Sequence, residues 1–75
     1  MVLEIFSLGE NMCESKAVVV KGSKEELVLD DVVMLEILGD RLRLVNIEGK
    51  EKLITEYRLG RIDFIGHKIY LVPKE

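Results

Sequence analysis

The chain has 75 residues and a formal net charge of −3, which leaves room for one domain and no more. A third of its residues are charged but the surplus is acidic, which speaks against a nucleic-acid or anionic-membrane surface, because either needs extra Lys and Arg. No apolar run approaches the roughly 20 residues of a membrane-spanning helix, the N-terminus lacks the basic region of a secretory signal, and one cysteine excludes an internal disulfide, so the cytoplasm is the expected compartment.

Residues 1–11 read as an N-terminal extension, and a mis-assigned start is the expectation; residues 12–75 read as a single small domain. Glu4 and Glu10 lie in the extension, and without them the charge falls to −1. The competing reading takes Leu3 and Ile5 as one face of an added edge strand. Met12-Cys13 then leads into Ala17 to Lys21, a β-branched strand that stops at Gly22-Ser23-Lys24. Glu26 to Leu29 supplies a second strand, Asp30-Asp31 marks a break, and Val32 to Leu38 a third, with Val33, Leu35 and Ile37 on one face. A helix over Lys24 to Leu38, capped by Ser23 with Glu26 three residues on, is opposed by Val28, Val32, Val33 and the mid-segment aspartates.

Gly39-Asp40 has the composition of a two-residue hairpin turn, and Arg41-Leu42-Arg43-Leu44-Val45 alternates so that Leu42 and Leu44 face the core while Arg41 and Arg43 face water. Gly49 turns the chain into Lys52-Leu53-Ile54. Gly60 to Phe64 places Ile62 and Phe64 on one face, Gly66-His67 turns into Lys68 to Val72, and Pro73 ends that strand by removing a ladder donor. The expected fold is all-β, a small antiparallel β-barrel or sandwich of six to seven short strands at intervals of about ten residues. At this length apolar burial and chain entropy nearly cancel, so a bound metal or a second subunit is expected to supply stability, and a homodimer is the energetic expectation.

Little in the sequence can carry catalysis. There is no glycine-rich phosphate loop and no Cys-x-x-Cys pair. The sole histidine, His67, lies in a turn, not beside a nucleophile. Adjacent carboxylates such as Glu25-Glu26 and Asp30-Asp31 diverge on extended backbone. The chain is therefore read as a binding protein and not an enzyme.

Cys13 is the candidate metal ligand. If translation starts at Met12 and that methionine is removed, Cys13 presents a terminal amine beside a thiolate, a chelate for nickel, copper or zinc. Glu14 could add a carboxylate oxygen or its backbone nitrogen, and His67 a neutral imidazole. One chain offers too few thiolates for a complete site, and a twofold dimer would supply two. The plainer alternative leaves Cys13 as a small buried hydrophobe, Glu14 as a strand end and His67 as a solvated turn residue. Arg41, Arg43, Arg58 and Arg61 could form a basic stripe for RNA. Exposed aromatics to interleave with it are scarce, as Tyr57 and Tyr70 are the only tyrosines and Tyr70 could face the core.

Met12-Cys13-Glu14, Ala17-Val18-Val19-Val20, Glu25-Glu26-Leu27, Asp31-Val32-Val33 with Leu35-Glu36, Gly39-Asp40, and Ile62-Asp63 before His67-Lys68-Ile69 together resemble the CooT family of small nickel-binding proteins, also described as predicted RNA-binding proteins. The resemblance spans Met12 to Val72. It implies a dimer of small β-barrel subunits that binds Ni(II) through the cysteine after the initiator methionine, here Cys13, as an accessory of carbon monoxide dehydrogenase maturation. It assigns no part to His67. With residues 1–11 attached, the Cys13 nitrogen is an amide and no terminal amine is available. Three readings follow: a nickel chaperone or store with a nickel-enzyme client, an RNA-binding β-barrel, and a protein-interaction module without metal.

Overall fold

The computed structural model describes residues 2–4 and 14–74 of the chain. Seven strands follow in order: β1 (Val2–Glu4), β2 (Ser15–Lys21), β3 (Lys24–Leu38), β4 (Arg41–Asn46), β5 (Glu51–Ile54), β6 (Tyr57–Asp63) and β7 (Lys68–Pro73). Six of them form one curled sheet in the order β5-β4-β3-β2-β7-β6, and β1 pairs with β3. The sheet bends into a half-barrel, and no described residue is helical.

The all-β fold is the expected one, with a joint that the antiparallel expectation did not contain. β2 and β7 run parallel, with Lys16 opposite Lys68, Ala17 opposite Ile69 and Val19 opposite Leu71; every other pairing is antiparallel. Residues so distant in sequence meet only once the rest of the sheet returns the chain to β2, so no local turn signal encodes the contact.

β3 is one strand of 15 residues, not two separated by a break. Asp31 takes a left-handed φ of 54°, and its N–H is accepted by the Asp30 side chain at 2.9 Å. The pairing with β4 shifts register between Val32 and Met34. Such a bulge bends a strand without ending it. It also resets which face points inward, so Val32 and Leu35 are both buried at 0% exposure, whereas simple alternation grouped Val33 with Leu35.

Gly22, Gly39 and Gly49 occupy turns at positive φ. At Gly39-Asp40 the strand ends Leu38 and Arg41 pair directly, as the two-residue hairpin predicts. The longer β4–β5 turn is organised by Asn46, a largely buried polar residue. Its Oδ1 accepts the Glu48 N–H at 3.0 Å and the Lys50 N–H at 2.8 Å, and its carbonyl accepts the Gly49 N–H.

The core fills the inside of the curl with Ala17, Val19, Val32, Leu35, Leu42, Leu44, Ile54, Ile69 and Leu71. Leu42 and Leu44 point inward as expected, with Leu44 opposite Leu35 and Leu42 opposite both Ile37 and Ile54. Ile62 packs against this core, but Phe64 lies past the end of β6 and is 65% exposed, so the two do not share a face. Tyr70, between the buried Ile69 and Leu71, points to the outer face of the sheet.

Leu44→Ala is expected to cost about 2–5 kcal/mol through lost burial and a residual cavity, read from urea unfolding. Asn46→Ala is expected to cost about 1–3 kcal/mol by leaving turn N–H groups unpaired. Ile65→Ser, at a site 93% exposed, should stay within about 0.5 kcal/mol of the parent.

Candidate metal centre

Cys13 lies outside the described residues, which resume at Glu14. Glu14 is half-buried and precedes β2 directly. Ser15 is 1% exposed and sits opposite Val32. Its hydroxyl makes no hydrogen bond among the described residues, an unusual state for a buried polar group.

The parallel joint brings the third candidate to the same place. Lys16 donates its N–H to the His67 carbonyl at 2.9 Å, which fastens the head of β2 to the turn between β6 and β7. That turn is shaped by Asp63, whose Oδ1 accepts the N–H groups of Ile65 at 3.1 Å and Gly66 at 2.9 Å. His67 itself has a φ of 57°, and its side chain is exposed. Phe64 and Ile65 expose apolar side chains on the same turn.

The structure thus gathers the chain positions of Glu14 and His67 at one end of the half-barrel. The burial of Ser15 against β3 and the Lys16 to His67 link escaped sequence reasoning, because both depend on pairings between separate strands. No group of three or more His, Cys, Asp and Glu side chains that could hold a metal is assembled among the described residues. The imidazole and carboxylate here suit a borderline divalent ion, and a soft thiolate would complete that preference. The described residues supply isolated donor groups and not a closed site.

The four arginines do not behave as one stripe. Arg43 is held between two carboxylates, donating Nη1 to Glu36 at 3.0 Å and Nε to Glu51 at 2.7 Å. Arg41 has Asp40 at 3.9 Å. Arg61 lies over the Tyr70 ring, 4.3 Å from its centroid. Neutralisation on β4 removes the charge a phosphate backbone would need. Glu25 and Glu26 diverge as expected, pairing with Lys68 and Lys21 on different strands. No helix among the described residues is long and apolar enough to cross a membrane.

Comparison with known proteins agrees with this architecture. The family model for CooT, the CO dehydrogenase accessory protein, matches residues 12–72. A crystal structure assigned to CooT from Carboxydothermus hydrogenoformans is 35% identical, superposes with a TM-score of 0.75 and aligns over 84% of this chain and 100% of that one. An uncharacterised protein of Methanothermobacter thermautotrophicus is 32% identical over 66 residues, 88% of this chain and 97% of that protein.

The ion pair on β4 has a pH signature. Hydrogen bonding to Arg43 holds the Glu51 carboxyl below its ordinary value of 4.5. A carboxylate whose pKa is lowered on folding stabilises above its unfolded pKa and loses that contribution as pH falls through the folded one. Arg43→Gln should therefore unfold at lower urea than the parent at neutral pH, and the gap should narrow as pH drops below about 4.5.

Proposed function

Because the chain belongs to the CooT family of CO dehydrogenase accessory proteins, we propose that it binds Ni(II) through the Cys13 thiolate and holds or delivers the ion for that enzyme. The observation that carries this reading is where the family match begins. It opens on Met12-Cys13, so the cysteine is the second residue of the matched segment. A metal-binding form that starts at Cys13 would offer a thiolate, a terminal amine and the backbone nitrogen of Glu14, donors that Ni(II) accepts in a planar arrangement.

A twofold dimer in which each subunit contributes Cys13 doubles the thiolate count. Glu14 and His67 are the supporting candidates, since the parallel joint puts His67 at the head of β2. Residues 1–11 work against the chelate in the full chain, because they convert the Cys13 amine into an amide. β1 adds a strand to β3 from within that segment and lies outside the family match. The RNA reading is the weaker one, given the carboxylates that flank Arg43 and the acidic net charge.

The test is a Ni(II) titration, followed by absorption and calorimetry, of the 75-residue chain and of the chain beginning at Cys13. The shorter form is expected to bind about one nickel per dimer with thiolate-to-metal bands, the longer form to bind much more weakly, and Cys13→Ser to abolish binding with the fold retained. Failure of both forms to bind would leave the family relation without its metal.

A further inference from the structure

On the outer face of the sheet, where β3, β2, β7 and β6 lie side by side, a groove of about 370 Å³ is lined by Val20, Glu25, Gly60, Arg61, Tyr70 and Val72. It is separate from the head of β2 and independent of the nickel reading. Alternation along the strands explains its floor. Val19, Ile69 and Leu71 are buried in the core, so Val20, Tyr70 and Val72 face outward. Gly60 sits where the β6 register shifts. A Cβ there would stand 3.1 Å from both the Tyr70 carbonyl oxygen and a Val72 methyl, so a glycine at this position keeps one end of the groove open.

The groove is polarised. Glu25 is neutralised by Lys68 at 3.0 Å, a bridge that crosses β2 and helps to cover Val18, which is 5% exposed although it points away from the core. Arg61 differs from Arg43 and Lys68, which hold carboxylates. Among the described residues it has no carboxylate partner, and its guanidinium lies over the Tyr70 ring. Stacking orders an arginine while leaving its donor fork free, and that fork matches a carboxylate bidentately.

We propose that this groove binds the C-terminal end of a peptide chain, with the terminal carboxylate on Arg61 and an aliphatic last side chain against Val20 and Val72. The volume is at the small end of ligand sites, which suits about two residues of peptide. With Glu25 bridged to Lys68, Arg61 is the one charge among the lining residues without a carboxylate, which suits a single carboxylate better than a polyanion. The Tyr70 face a nucleobase would need is already occupied by Arg61, so single-stranded RNA is the poorer fit.

The experiment is an NMR titration of the ¹⁵N-labelled full chain with acetyl-Ala-Val as the free acid and as the amide. The acid should shift the amides of Val20, Gly60, Arg61, Tyr70 and Val72 and bind about tenfold or more tightly than the amide. Arg61→Gln should erase that preference with the spectrum otherwise intact. Arg41→Gln, the same charge loss on β4, which pairs with neither β6 nor β7, should change affinity less than about twofold. Equal binding of acid and amide, no shifts at the groove, an equal loss in the Arg41 variant, or a uridine oligonucleotide shifting these residues at lower concentration than the acid would each overturn the proposal.

Discussion

The parallel contact between β2 and β7 is the constraint on which the rest of this small protein depends. It sets Ala17 and Val19 beside Ile69 and Leu71, joining the hydrophobic faces of β2 and β7. Without it the β6–β7 hairpin would have little hold on the sheet. The same register fixes both ends of the functional picture. At one end it fastens Lys16 to the His67 carbonyl, and on the outer face it lays Tyr70 against Val18. Contacts between segments so far apart carry a loop-closure cost that must be met before they stabilise, and the apolar side chains they bury are the compensation.

Local chemistry made much of the fold legible. Gly39-Asp40, the alternation of Leu42 and Leu44, and the return through Ile54 announce themselves because turn type and pleat are short-range properties. What escaped was long-range or irregular. Asp30-Asp31 has the composition of a turn, yet the sheet bends there at a left-handed Asp31 and continues. Phe64 alternates with Ile62 in sequence, but β6 stops at Asp63, whose side chain begins the turn. The candidate ligand Glu14 was visible as a neighbour of Cys13. That His67 shares its end of the molecule was not, since no sequence pattern encodes a parallel pairing of the first and last strands.

Several charges on this surface are matched across strands. Arg43 with Glu36 and Glu51, Lys68 with Glu25, and Lys21 with Glu26 are cross-strand pairs that contribute modestly to stability. Their larger effect is to discourage sheet edges and outer faces from capturing the wrong partner. Three other features have a less ordinary setting: a buried Ser15 hydroxyl without a hydrogen bond among the described residues, an apolar turn tip beside His67, and an arginine stacked on Tyr70. The family these features serve is that of CO dehydrogenase accessory proteins.

The central claim is that the thiolate of Cys13 is the primary ligand of a bound nickel ion. Nickel K-edge X-ray absorption on the loaded chain beginning at Cys13 tests it most directly. A first shell that contains sulfur together with nitrogen, with the sulfur absent from any nickel left in the Cys13→Ser variant, is the predicted result. A shell of oxygen and nitrogen alone would contradict it and leave Cys13 as a packing residue.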